Sequence, residues 1–341
     1  MTKKEQLLQT GKLPSEILNG LLSTITYDDE RIIIGPKIGE DAAVIDYGDR
    51  VLVTKTDPIT FATKQIGWYS VNINANDIVS TGAIPKWFMA TILLPNNSQE
   101  KIVRNIFFDI QKACKDLNIS LVGGHTEITT AVTHPIVVGS MIGETSKKLY
   151  LPTSGVKNKD DIILTKQLAI EGTTVIAHEG ERKLKKANIP ASCISNSKKY
   201  LSSPGISVVK EAMIARNMQG IHAMHDPTEG GLATAIKEIC VAGNVGANLF
   251  FDSIPILPEC MTLCSTFGLD PLGLLASGSL LICVDNKYSL QLISKLQQAG
   301  ISACKIGEIT NQANQISITK NKIKANLTNF ERDEIAKFFD S

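Results

Sequence analysis

The chain has 341 residues, 43% hydrophobic and 20% charged, which is ordinary globular usage, long enough for two domains, and excludes a largely disordered protein. With 35 Lys and Arg against 34 Asp and Glu the formal charge is +1, so no global field draws in nucleic acid and any phosphate chemistry must be organised locally. No apolar run of signal-peptide length follows the start and no later segment is long and apolar enough to span a bilayer, so a soluble, cytoplasmic protein without membrane or nucleic-acid partners is expected.

In chain order, Ala42–Asp46 and Val51–Thr56 read as strands and Lys64–Thr81 as a helix. Trp87–Leu94 reads as a strand ended by Pro95. Ser98, with Glu100 behind it, reads as the N-cap of a helix through Ile102, Ile106, Ile110 and Leu117. Strands Ser120–Val122 and Pro135–Ile142 follow, and the polar stretch Thr145–Lys159 marks a boundary between domains 1–148 and 149–341. In the second half, Asp161–Thr165 is a strand, Glu171–Glu179 a helix, and Gly205–Asn217 a longer helix that begins through Ser203-Pro204-Gly205. Ile221–His225 is a short strand running into Asp226-Pro227-Thr228-Glu229-Gly230-Gly231, with a helix Leu232–Ala242 directly after it. Strands Ala247–Phe251, Leu280–Val284, Cys304–Glu308 and Gln315–Thr319 alternate with helices Leu257–Phe267 and Tyr288–Ala299, and Leu327–Phe339 reads as a short surface helix. The class is α+β in two domains, without the Gly-x-Gly-x-x-Gly turn of a dinucleotide fold.

The seven cysteines are scattered, so neither disulfides nor structural zinc is expected. Cys260 and Cys264, one helical turn apart among apolar residues, read as buried thiols. His134, His178 and His222 carry no pattern. His225 precedes Asp226 and reads as a satisfied loop residue, while His125 lies in the double-glycine segment, where it could bind or protonate a phosphate.

Acidic residues gather at element ends. Glu40 and Asp41 precede a buried strand, Asp57 ends the next, Asp77 follows Asn76 inside an apolar helix, and Gly123-Gly124-His125-Thr126-Glu127 follows a third strand. Each alone reads first as a turn or cap residue. Together they suit magnesium, which takes a few carboxylates plus substrate phosphates. Gly35, Gly39, Gly123 and Gly124 allow backbone to approach a polyphosphate. Asp226 and Glu229 sit where a helix start aims N–H groups at a neighbour, which fits a metal-bridged phosphate or a plain helix cap.

Gly39-Glu40-Asp41-Ala42-Ala43-Val44, Thr56-Asp57, Asn76-Asp77 with Gly82-Ala83-Ile84-Pro85, and Asp226-Pro227-Thr228-Glu229-Gly230-Gly231-Leu232 together resemble the aminoimidazole ribonucleotide (AIR) synthase-like superfamily over nearly the whole chain. That superfamily includes AIR synthase, thiamine-monophosphate kinase, selenophosphate synthetase and HypE-type hydrogenase maturation factors. The second-half motif and Gly268-Leu269-Asp270-Pro271-Leu272 are most similar to the HypE type. The resemblance implies an AIR synthase-like fold whose N-terminal domains pair into a β-barrel in a homodimer. It implies ATP and magnesium as cofactors. Asp41, Asp57, Asp77 and Asp226 would be the metal set, with Gly39, Thr56, Asn76, Gly123, Gly124 and Thr126 completing the nucleotide site, and Asp226, Glu229 and His125 would be catalytic.

The departures are informative. Phe338-Phe339-Asp340-Ser341 stands where HypE-type factors end in cysteine, and the first cysteine is Cys114, whereas selenophosphate synthetases carry one near the N-terminus. Thr54-Lys55-Thr56-Asp57-Pro58 replaces the Gly-Val-Gly-Thr-Lys of AIR synthase, and thiamine-monophosphate kinase has Asp where His125 stands. The expected activity is therefore magnesium-ATP chemistry on an oxygen of a small substrate. The alternatives are a thiamine-monophosphate-type kinase and a non-catalytic HypE-like accessory protein acting through a protein partner.

Overall fold

The structure, a computed structural model, describes residue 8, residues 11–40 and residues 42–340. After α1 (Ser15–Leu22) the first half forms β1 (Ile32–Ile34), β2 (Ala43–Tyr47), β3 (Arg50–Ile59), α2 (Ile66–Ser80), β4 (Ile84–Pro95), α3 (Glu100–Asp116), β5 (Ser120–Thr129) and β6 (Ile136–Ser146). Its six strands make one sheet in the order β1-β2-β3-β6-β4-β5, with β4 and β5 parallel and the other neighbours antiparallel.

The second half contains β7 (Asp160–Thr165), α4 (Ile170–Glu179), α5 (Glu181–Lys186), α6 (Ala191–Lys199), α7 (Val209–Ala215), β8 (Ile221–His225), α8 (Gly231–Gly243), β9 (Gly246–Phe250), α9 (Pro258–Phe267), β10 (Leu281–Asp285), α10 (Ser289–Gln298), β11 (Ala303–Thr310), β12 (Ile316–Lys320), β13 (Ile323–Asn326) and α11 (Glu334–Asp340). These strands form a seven-stranded sheet ordered β13-β12-β9-β11-β7-β10-β8, in which β9 and β12 are parallel. The result is a mixed α/β architecture in two sheet-bearing halves.

Helix α2 joins the halves. Of its residues, Ile66, Ile73, Ile78 and Val79 are buried together with Asn72, Asn74, Asn76, Asp77 and Ser80, so it is enclosed on all sides. Each buried Ile or Val on it contributes about 1.5–3 kcal/mol, while its buried amides and hydroxyls take hydrogen bonds, as Asn76 does with Ile206 and Val208 and Ser80 with Asp226. It approaches β6 closely because that strand has Gly139 and Gly143 beneath it. A Cβ there would lie 2.3 Å from Asn74 Nδ2 and 2.3 Å from Ile78 Cγ2 respectively. On its other side α2 meets α7 and β8 of the second half.

Several sequence expectations need correction. Ser98 caps no helix: its hydroxyl donates to the Pro95 carbonyl, and Gln99 precedes α3 without a side-chain cap. The strand expected at Ser120–Val122 continues through both glycines to Thr129, because parallel pairing with β4 supplies hydrogen-bond partners along its length. The helix expected over Gly205–Asn217 is shortened to α7, since Leu201–Gly205 with its internal Pro204 forms a separate wide turn. The C-terminal helix is not a surface element: Ile335 and Phe338 are buried, and Phe338 stacks edge-on against Phe267. Cys260 and Cys264 are buried as expected, their sulfurs 3.8 Å apart.

Candidate functional site

The site is built where β3, α2, the β8–α8 turn, α4 and the C-terminal segment meet. Alternation along β3 sends Lys55 and Asp57 to the helix-covered face and Thr56 to the opposite one. Lys55 Nζ lies 3.4 Å from the buried Asp77 Oδ2 on α2. One turn further along α2, Ser80 Oγ donates to Asp226 Oδ1 at 3.0 Å, which brings the end of β8 beside the same helix face. Asp226 is itself buried. Residues at positions 55, 77, 80 and 226 are thus assembled at one junction.

The loop after Asp226 turns through two left-handed residues, Gly230 (φ +78°) and Gly231 (φ +61°). Side chains are excluded there: a Cβ on Gly231 would meet the Leu272 carbonyl oxygen at 2.5 Å. Thr228 holds the turn, its carbonyl accepting from Gly231 N and Ala276 N, and its hydroxyl accepts from Lys12 Nζ at 3.4 Å. Lys12 also lies 3.9 Å from Glu238 on α8.

Three further carboxyls crowd this turn. Burial pushes Glu229 above the usual carboxylate range; Lys12 opposes the shift and Asp57 adds to it. Burial pushes Glu171, in the first turn of α4, up to about 8. The Ser277 hydroxyl opposes that rise, and the charges of Asp333, Glu229 and Asp57 reinforce it. Asp333 rises to about 7 through burial, against N–H donation from Ile335, Gly230 and Leu275 and with the charge of Glu229 pushing the same way. Sequence reasoning missed Glu171 and Asp333. The available signals were a lone carboxylate in the otherwise uncharged run Leu168–Ala177, and an Asp at the cap position before Ile335 and Phe338.

The other expected site residues fall as follows. Asp41 lies outside the described residues. Asn76 is engaged on both sides of its amide, Nδ2 donating to the Ile206 carbonyl (2.8 Å) and Oδ1 accepting from Val208 N (2.9 Å), so it fastens α2 to the second half. Gly39 (φ +85°) packs against α8, where a Cβ would stand 2.7 Å from the Glu238 carbonyl oxygen. Glu40 accepts from Thr153 N and Ser154 N. Thr56 donates to the Gly139 carbonyl and accepts from Ser140, away from Asp57.

Gly123, Gly124, His125 and Thr126 stand in β5, which is exposed along nearly its whole length. The lateral row Asp57–Gly139–Ala90–Gly124 puts them three strands from Asp57, roughly 14 Å at ~4.8 Å per strand. His125 lies 3.5 Å from Glu127 there. His225 is buried with Nε2 3.0 Å from Glu238 Oε2, consistent with a satisfied packing residue. Beside the carboxyl cluster a cleft of about 640 Å³ opens, lined by Lys12, Gly39, Glu40, Lys55, Glu229, Gly230, Arg332 and Asp333 among others. Among the described residues no three His, Cys, Asp or Glu side chains converge closely enough to hold a metal ion by themselves. No helix among them is long and apolar enough to cross a membrane.

Two sheet-bearing α/β halves gripping one buried helix, with an acidic cluster at their junction, define a two-domain α/β protein whose site is built from both halves. The chain belongs to the AIR synthase related family: the family's N-terminal domain matches residues 39–145 and its C-terminal domain residues 158–320. A Methanocaldococcus jannaschii protein named for hydrogenase expression and formation is 26% identical over 298 residues, covering 84% of each chain. Carbamoyl dehydratase HypE of Rhodobacter capsulatus is 26% identical (81% of this chain, 80% of the relative), and selenide, water dikinase of Aeromonas hydrophila is 25% identical (87% and 91%). Among solved structures, the HypE–HypF complex superposes with a TM-score of 0.76 at 19% identity, covering 92% of this chain and 99% of the other. HypE in complex with ATP gives 0.71 at 19% identity (94% and 91%), and AaThiL with AMPPCP and TMP gives 0.69 at 16% (91% and 93%). These likenesses establish the fold.

Proposed function

We propose that the chain is an ATP-dependent enzyme that takes up ATP with magnesium at the junction of its two halves and directs the terminal phosphate toward an oxygen of a small substrate. The observation that carries this reading is the gathering of Asp57, Asp77 and the Asp226–Glu229 turn from three separate stretches of sequence, with Lys55 and Lys12 beside them. ATP-bound and AMPPCP-bound neighbours of the same fold support it. The donor set fits magnesium chemically, being hard carboxylate oxygen, and Asp57, Asp77 and Asp226, with Asp41, would hold the ion. An ion that completes its shell with phosphate oxygens needs no closed protein cage. When bound, it would neutralise charge on the transferring phosphoryl group.

The chain's own residues supply positioning. Lys12 and Lys55 would offset negative charge, and Glu229, which burial first and the Asp57 charge after it push above the usual carboxylate range, would accept a proton from an attacking hydroxyl. Residues 1–148 and 149–341 form the two domains in this reading, and the chain works as a cytoplasmic homodimer. Trp87 and Met89 on β4 and Leu121, Val122 and Ile128 on β5 are exposed apolar residues that a second copy would cover in a shared barrel. His125 with Gly123, Gly124 and Thr126 would meet nucleotide only through such pairing.

A second reading, an accessory protein that binds ATP and acts through a partner, is favoured by the likeness to the HypE–HypF complex. Incubating the isolated protein with ATP, magnesium and a small-metabolite extract separates the two by mass spectrometry. Consumption of one metabolite together with ATP is expected. ATP left intact with every metabolite fraction would contradict the enzymatic reading.

A further inference from the structure

The turn that carries Asp226 and Glu229 is held from an unexpected direction, by the C-terminal segment. Asp333 is almost fully buried, and its carboxylate accepts three backbone N–H groups: Gly230 N at 2.6 Å, Ile335 N at 2.7 Å and Leu275 N at 3.2 Å. Each donor belongs to a different piece of the molecule. Gly230 lies at the start of α8, in the site turn itself. Leu275 begins a strand-like stretch whose carbonyls, at Leu275 and Ser277, accept from Gly172 N and Glu171 N at the start of α4. Ile335 belongs to α11.

One buried carboxylate therefore ties the Glu229 turn, the support of Glu171 and the C-terminal helix into a single node. The turn needs such a tie. Two successive left-handed residues leave it few internal hydrogen bonds, and charge-assisted bonds are the stronger kind. Helix α11 makes a firm reference point: Phe338 packs edge-on against Phe267 with centroids 5.0 Å apart, and Lys183 sits over the Phe338 ring. Glu334 adds a bond from Asp270 N at 3.0 Å.

We propose that Asp333 is a positioning residue for the site: its carboxylate transmits the docked position of α11 to the Asp226–Gly231 turn, so that the turn takes its ligand-ready shape only while the C-terminal helix is seated. This rests on the proposed role of that turn in facing the phosphates of ATP. The carboxyl oxygens also stand at the start of α8, where Oδ2 takes the Gly230 N–H that the helix leaves without an internal partner. Removing an acceptor oxygen frees the turn without opening the sheet, because the bonds of β7 and β10 do not pass through Asp333.

Amide hydrogen exchange on ligand-free protein reads the tie directly. In Asp333→Asn, segments 226–231 and 274–277 should exchange at least about tenfold faster while β7 and β10 stay protected. In Asp333→Ala, added formate at about 100 mM should restore slow exchange where chloride does not, a rescue that a space-filling role would not show. Asp46→Asn, whose carboxylate pairs with Lys147 and touches neither α11 nor the turn, should leave 226–231 as in the parent. Should Asp333→Asn fail to fold, Phe338→Leu carries the same test, since it loosens α11 and keeps the carboxylate. Unchanged exchange at 226–231 in the Asp333 variants, or acceleration spread evenly over the whole chain, would overturn the proposal. Calorimetry with magnesium and ATP forms the second arm: the Asp333→Asn affinity should fall by about tenfold or more. A parent that binds no ATP would sink the functional reading, while the exchange result would still decide whether Asp333 holds the turn.

Discussion

Asp57→Asn should lose about a hundredfold or more in ATP turnover while unfolding at the parent's temperature or slightly above it. The side chain keeps its shape, and the backbone at position 57 keeps its ladder pairing with Gly139 and its bond from Asn74. What changes is one negative charge in a site where fixed charges meet a polyphosphate, a loss typically worth two to three orders of magnitude in rate. The stability sign follows from the cluster. The Asp57 charge pushes both Glu171 and Glu229 toward protonation, so its removal relieves like-charge repulsion in the folded state. If Asp57 were only the turn residue before Pro58, Asn would serve as well and turnover would be unchanged. Asp46→Asn is the matching control, since Asp46 also lies on a strand but pairs with Lys147 at the surface. Steady-state turnover and thermal unfolding of the parent and both variants decide between the readings.

The second large effect concerns pH. Glu171 has a folded pKa of about 8 against a model-peptide value of 4.5. Between those limits the folded chain holds a proton that the unfolded chain has released. The stability associated with neutral Glu171 is therefore complete below about pH 4.5 and is lost as pH rises through 8. Glu171→Gln is neutral at every pH. It should match the parent near pH 5 and exceed it at pH 9 by on the order of 4 kcal/mol, an upper figure since buried sites relax. Denaturant unfolding at the two pH values measures this. Parallel pH dependence in variant and parent would show that Glu171 titrates normally in the fold.

Much of the fold was legible because hydrophobic periodicity decides it. Helix α2 and strands β2, β3 and β4 carry apolar patterns that burial enforces, and the acidic motifs stood in view within or beside elements: Asp57 near the end of β3, Asp77 inside α2 and Asp226 just after β8. Legibility failed where tertiary pairing overrode local signals. Gly123-Gly124 reads as a loop, yet the β4 ladder holds it as strand. Thr56 and Asp57 are neighbours in sequence and lie on opposite faces of β3, so only one of them can reach the cluster. Asn76 looks like a ligand residue, and its amide is instead used between Ile206 and Val208, a pairing no local pattern announces. Glu171 and Asp333 were invisible because a single carboxylate at a helix start is ordinary. Their significance comes from the long intervening chain folding to put them beside the same turn.

Calorimetric titration of the protein with ATP in the presence of magnesium tests the central claim most directly. The account predicts a saturable binding heat in the micromolar to millimolar range that depends on magnesium and is strongly weakened in Asp57→Asn. No binding heat at millimolar nucleotide with magnesium present, or equal affinity in parent and Asp57→Asn, would contradict it.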